Sequence, residues 1–170
     1  MKRATLLALC LISSAGLGLR AGEALANAVK AKDLNAVKAR LAAGDPINER
    51  AWSNGWTPLH YAVFYEQFFI AKYLLEQGAD PDLQVTDGFR RIKAGATPLI
   101  IAGYYGMDDM VELLLRHKAR LDFADRSGAT ALDYARKYNF LRTAELLEKA
   151  AQPRPAAPAA ADGAAGAASL

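Results

Sequence analysis

Between residues 25 and 150 the apolar positions come in short sets separated by turn residues. Leu59 and Ala62 form one set; Phe69, Tyr73 and Leu74 form the next. Met110, Leu113 and Leu114 follow, and then Ala144 and Leu147. Positions three and four apart share one face of a helix, so each set predicts a short amphipathic helix. The starts and stops agree. Thr57 and Thr97 stand directly before Pro58 and Pro98. A hydroxyl at the N-cap with proline at the first helical position is a strong helix start. Gly78 falls where the second helix of its unit should end, at a position that favours φ > 0. The pattern therefore predicts helix, turn, helix and loop, repeated.

The repetition is explicit. "NGWTPLHYA" from Asn54 returns as "GATPLIIA" after 40 residues and as "GATALDYA" 33 residues later. A fainter copy, "LANAVKAKDLNAVKARLAAGDPIN", comes first. In register, Ala28 matches Ala62, Ala102 and Ala135, and Gly44 matches Gly78 and Lys118. One helix pair cannot bury both its faces, so such units must stack. A period of 33 headed by T-P-L-H-x-A resembles the ankyrin repeat. The resemblance implies an all-α solenoid of about four repeats with β-hairpin-like loops, over roughly 25–48, 49–82, 83–122 and 123–150. It also implies that His60 braces its turn against a neighbouring repeat. Asp133 departs from that pattern in the last repeat, which has no following neighbour to brace; Ile100 departs in the third unit and puts the local bracing there in doubt, not the fold. The polar first and last copies suit capping units, which need a solvated outer face.

The two ends read differently. Met1, Lys2 and Arg3 precede an apolar run from Ala4 to Leu19, and small residues follow. That is the order of a secretory signal, expected over residues 1–24, with cleavage after Ala24 or Ala26. The run is too short and too glycine-interrupted to span a membrane well. Cys10, the only cysteine, lies inside it, so the expected mature chain has no thiol for disulfide, nucleophile or metal. Removing the signal leaves 18 basic and 17 acidic residues, too balanced to argue for nucleic acid. Residues 151–170 form an Ala/Pro-rich tail that is expected to be disordered.

Candidate chemistry is sparse. His60 and His117 are too few and too far apart for a metal site of ordinary ligand spacing. No Ser, His and acid make a nucleophilic arrangement, and no glycine-rich phosphate loop appears. Asp108, Asp109 and Glu112 open a second helix, where acids favour the helix dipole. No catalytic residue, metal or cofactor is expected, and the chain is read as a non-enzyme.

Aromatic placement is the positive signal. Of seven tyrosines, all but Tyr73 fall in the first helices of the units. The ankyrin resemblance implies that two positions after the inner alanine face a concave hollow: Phe64 and Tyr65, Tyr104 and Tyr105, Lys137 and Tyr138. Neighbours on a helix point about 100° apart, so each aromatic pair should send at least one ring there. Packing between repeats is the competing use, above all for Tyr61 and Tyr134. The seven extra residues fall in "DLQVTDGFRRIKAGAT", where Asp87-Gly88 signals a tight turn. This predicts a long finger tipped by Phe89, Ile92, Arg90, Arg91 and Lys93, beside a finger carrying Trp52 and Trp56. A neutral insertion is the alternative, since loop length costs little. Together these features predict a monomeric periplasmic module that grips a protein partner, with no nucleic acid and no stable membrane insertion. The resemblance to exported bacterial ankyrin proteins implies an inhibitor or immunity protein, or an auxiliary of a stress-defence enzyme. Binding of cell-wall glycan or a small ligand is the rival reading.

Overall fold

The computed structural model describes residues 21–51 and 54–152. The expected signal up to residue 20, Trp52, and all but the first two residues of the expected tail lie outside the described residues. Eight helices follow in chain order: α1 (Ala21–Lys30), α2 (Leu34–Ala42), α3 (Pro58–Phe64), α4 (Phe68–Glu76), α5 (Pro98–Tyr105), α6 (Asp108–Arg116), α7 (Ala131–Lys137) and α8 (Leu141–Ala151). Helices α1 and α2 form the first pair, and three more pairs follow. The described part is an all-α repeat solenoid; its only extended pairing is two isolated antiparallel bridges, Ala51 with Trp56 and Phe89 with Ile92.

Inner helices α3, α5 and α7 each start on a threonine. The hydroxyls of Thr57, Thr97 and Thr130 accept from the backbone N–H groups of His60, Ile100 and Asp133. This satisfies one of the donors that a helix start leaves unpaired. The outer helices have no side-chain cap among α4, α6 and α8; packing of their apolar faces holds them instead. Inner helices α1, α3, α5 and α7 contact in sequence, and outer helices α2, α4, α6 and α8 form a second row. Their shared core holds Leu25, Val37, Leu59, Leu74, Leu99, Ile101, Leu114 and Leu147, all essentially sealed from water. Each such side chain contributes about 1.5–3 kcal/mol of burial.

Gly44 and Gly78 end their outer helices at φ 93° and 92°. Lys118 takes the same place in the third pair at φ 64°. At Gly103 the reason for glycine is closeness: a Cβ there would stand 2.5 Å from the Ala131 carbonyl oxygen. Helices α5 and α7 approach backbone to backbone at this point.

One expected core position is wrong. Phe69 is 76% exposed. Ile70, not Phe69, occupies the buried place that Met110 fills in the next pair, because the 40-residue interval maps 110 onto 70. Tyr73 is half-buried, while Leu74 and the other expected second-helix positions are buried.

His60 is fully buried. Its Nδ1 accepts from the Thr57 N–H at 3.2 Å and lies 2.7 Å from the Thr57 hydroxyl oxygen. The proton therefore belongs on Nε2, which faces the Ala96 and Leu83 carbonyls without a hydrogen bond of full geometry. Burial, opposed by those carbonyls, lowers the imidazole pKa from 6.5 to about 3. Asp133 takes over half of this work in the last pair. Its carboxylate accepts from the Thr130 N–H at 2.9 Å and from the Thr130 hydroxyl at 2.7 Å. Those bonds, the backbone one first, hold its carboxyl below the ordinary value. Ile100 can do neither. Around the third unit the loops are tied by Gln84 instead, whose amide donates to the Gly95 carbonyl at 2.8 Å and the Ala124 carbonyl at 3.2 Å.

Candidate functional site

The loops between pairs lie side by side and are hydrogen-bonded in a row. The first runs from Ala51 to Trp56, closed by Ala51 N–H to the Trp56 carbonyl at 2.8 Å. The second is the long one. Val85 donates to the Ala96 carbonyl at 3.0 Å and accepts from Gly95 at 2.8 Å, which closes its base. Phe89 and Ile92 then exchange two bonds of 3.0 Å and close its tip. The tight turn is therefore Arg90-Arg91, with Arg90 at φ 55°, and not Asp87-Gly88 as the sequence suggests. Thr86 and Asp87 donate to the Asn54 carbonyl of the first loop, and Arg126 of the third donates to the Ala94 carbonyl at 2.8 Å.

The turn sits where it does because the apolar residues flanking it are packed. Val85 and Ile92 are buried, and Phe89 is half-buried. Phe89 stands edge-on to Trp56, 5.4 Å between ring centres, and to Phe64 at 5.8 Å. The finger thus folds its apolar side chains inward and leaves Arg90, Arg91 and Lys93 exposed. Its expected apolar tip is corrected to a cationic one.

Trp56 is also corrected. It is 0% exposed and cannot meet a partner from that position. Its ring touches those of Tyr61 at 5.1 Å, Phe64 at 5.2 Å and His60 at 5.9 Å, besides Phe89. It is the hub that fixes the long loop to the second repeat. Its indole N–H is buried without an acceptor.

From this hub a line of rings crosses three repeats. Phe64 meets Tyr65 at 5.2 Å and Tyr105 at 5.9 Å. Tyr105 meets Tyr104 at 4.9 Å, and Tyr104 meets Tyr138 at 4.9 Å. Phe64, Tyr65, Tyr104 and Tyr105 are half-buried, and Tyr138 is 41% exposed. Both members of each pair share one edge of the core, rather than one ring facing in and one out. The Tyr138 hydroxyl donates to that of Tyr104 at 3.3 Å. Burial pushes the Tyr105 phenol above its usual range, and the Arg90 and Arg91 guanidiniums pull it partly back.

The cations and the far end of this line meet in one hollow of about 470 Å³. Arg90, Arg91 and Lys93 of the loop line it with Tyr104, Tyr134, Tyr138 and Lys137 of helices α5 and α7 and their ends. Tyr134 is the wall residue that sequence reasoning left as padding. Its ring lies parallel to Tyr138, and its hydroxyl donates to Asp125. Burial works against ionisation of Asp125, but hydrogen bonds from Ser127 and Tyr134 hold its carboxyl below the ordinary value. Phe64, Tyr65 and Tyr105 are not in this hollow; they continue the ring line away from it. Trp52 lies outside the described residues.

His117 caps the end of α6, as its position in the chain suggests. Asp108 accepts from the Thr143 hydroxyl and lies 3.4 Å from Arg142, so this acid ties the third pair to the fourth. Among the described residues no three His, Cys, Asp or Glu side chains gather as a metal site, and no helix is long and apolar enough to cross a membrane.

A family model described as ankyrin repeats, in three copies, matches residues 4–85 and 82–155. The chain belongs to the ankyrin-repeat family. Ankyrin repeats are protein–protein interaction modules. Its relatives are diverse. The human 2-5A-dependent ribonuclease is 40% identical over 82 residues, 48% of this chain and 10% of that protein. Glycerophosphocholine phosphodiesterase gde1 of Schizosaccharomyces pombe is 35% identical over 107 residues, 63% of this chain and 9% of that protein. Neurogenic locus notch homolog protein 1 of Xenopus laevis is 28% identical over 170 residues, 83% of this chain and 7% of that protein. The chain spans a tenth or less of the length of these relatives.

Proposed function

We propose that this ankyrin chain is a monomeric, non-enzymatic binding module that acts in the periplasm after export and grips a protein partner with its ring line and cationic loop. The observation that carries this is the exposed cationic tip beside half-open tyrosines. Tyr104, Tyr105 and Tyr138 supply large rigid contact area with polar ends, the chemistry enriched at binding hot spots. The signal-like N-terminus supports export. Inhibition of a toxic enzyme, or support of a stress-defence enzyme, are the roles that fit a small exported module of this kind.

Glycan or small-ligand binding is less well supported. The hollow is open to solvent, whereas small-molecule sites usually enclose most of their ligand. The test is capture from periplasmic extract with the wild type and the Tyr104→Ala, Tyr105→Ala double variant. The expected result is a stoichiometric partner retained by the wild type and lost from the variant. Equal retrieval by both would place recognition elsewhere on the molecule. Saturable binding of a glycan fragment at one site would favour the rival.

A further inference from the structure

The nine described arginines divide by partner. Arg40, Arg116, Arg120, Arg136 and Arg142 each have a carboxylate within 4 Å: Asp45, Glu112, Asp122, Glu148 and Asp108. Arg50, whose guanidinium donates to the Gln84 carbonyl, and Arg126 have none. Arg90, Arg91, Lys93 and Lys137 also form no such pair among the described residues, and these four come from two separate elements, the long loop and α7, yet line one hollow. Four cations without a carboxylate partner are thus gathered in one concavity.

The hollow's rings narrow the choice of anion. Tyr138 lies parallel to Tyr134, 6.3 Å between centres, and edge-on to Tyr104. The Lys137 ammonium stands 5.6 Å from the Tyr138 ring centre. Arg90 is likewise laid over Phe64 and Phe89, at 5.9 and 5.6 Å. Much of the ring surface in and beside the hollow is thus taken up by neighbours of the same chain. A nucleobase would have to displace them to stack, and stacking is the main sequence-tolerant hold on single strands. Beside the part-exposed Tyr138 ring, the loop and α7 present the N–H donors of exposed cations, which suit carboxylates. Guanidinium and carboxylate also match in geometry, which makes such pairs specific as well as strong. The concavity is open and crosses from loop to helix, so an extended chain fits it better than a compact acid. In such a chain, side chains on one face repeat about every 6.6 Å, so several carboxylates can reach the same wall.

We infer that the hollow between the Arg90-Arg91 turn and helix α7 is the seat of an acidic, extended segment of the protein partner, held by Arg90, Arg91, Lys93 and Lys137 with the Tyr104 hydroxyl as an additional donor. This rests on the reading of the molecule as a protein-binding module and specifies the partner's chemistry at one end of its contact surface.

The test uses fluorescein-labelled octaglutamate, with labelled octathymidylate as a polyanion of comparable charge. Both are titrated into the full chain by fluorescence anisotropy, at low salt and again at high salt, since exposed charges are screened within about 10 Å at 0.1 M. Octaglutamate is expected to bind more tightly than octathymidylate and to weaken with salt. Arg91→Glu with Lys137→Glu should weaken it at least tenfold. Arg91→Gln with Lys137→Gln should give an intermediate loss, with circular dichroism unchanged because both residues are exposed. Absence of octaglutamate binding, binding indifferent to these variants, or tighter binding of octathymidylate would overturn the inference. So would sedimentation showing that a second copy of the chain fills the hollow and excludes the peptide. The broader reading is scored separately: a partner lost on Tyr104→Ala, Tyr105→Ala but kept on Arg91→Glu, Lys137→Glu would retain the module and discard the acidic segment.

Discussion

At the scale of single residues, His60 couples the fold to pH. Its folded pKa is about 3, against 6.5 for the free group. Below pH 6.5 the unfolded chain takes up a proton that the folded chain refuses, so stability falls on acidification through the window from 6.5 toward about 3. The slope from one such group approaches ~1.4 kcal/mol per pH unit. Urea melts at pH 6 and pH 5 should show most of that loss for the wild type and little of it for His60→Gln. Lys118 offers the opposite case. It holds a left-handed conformation, φ 64°, at the place where two other pairs have glycine. Lys118→Gly should raise stability by about 0.5–1 kcal/mol, because relief of that strain exceeds the added freedom of the unfolded chain. Trp56→Ala removes the ring hub and should cost about 3–5 kcal/mol, read as a lower urea midpoint.

At the scale of elements, the long loop has two sides with different work. Phe89 and Ile92 pack inward, and the cations face out. Phe89→Ala should lower stability by about 2 kcal/mol or more, as truncation of a half-buried aromatic does. Arg90→Gln with Arg91→Gln should change it by less than about 0.5 kcal/mol, the usual range for surface substitutions. Thermal melts of the two variants separate scaffold from contact surface within one loop. Deletion of Phe89 to Lys93, neutral for a loose finger, is instead expected to destabilise. The α5–α7 contact is the other sensitive element. Gly103→Val would drive a branched side chain into the Ala131 carbonyl and should cost well over ~3 kcal/mol, as overpacking against backbone does.

At the scale of the whole molecule, stability is a sum over neighbouring pairs. The last pair closes the stack: Asp108 reaches forward to Thr143 and Arg142, and Gly103 lets α7 approach. Truncation before residue 123 would expose the apolar face that α5 and α6 give to α7 and α8. The shortened chain should bind a hydrophobic dye and melt at a lower denaturant concentration than the full one.

The repeat, its helix starts and the inner row of tyrosines were legible in the residues themselves. Capping and helical period are local, and Thr57, Thr97 and Gly78 announce them within a few positions. Phe69 was misread because Phe69 and Ile70 are adjacent and both apolar; the 40-residue interval, which maps Met110 onto Ile70, chooses between them. The loop turn was misread for a related reason. Asp87-Gly88 has the better local turn chemistry, but burial of Phe89 and Ile92 on Trp56 moves the reversal to Arg90-Arg91. A tryptophan in a loop gives no local sign of whether it points out or in.

The sequence by itself determined the repeated helical pair and where α3 and α5 begin, because caps and period act over a single turn of chain. It also placed the tyrosines on the inner row. Only the tertiary structure decided which of the loop and finger aromatics are sealed and which cations are left without a carboxylate. Those outcomes depend on groups tens of residues apart in the chain that meet only when the repeats stack.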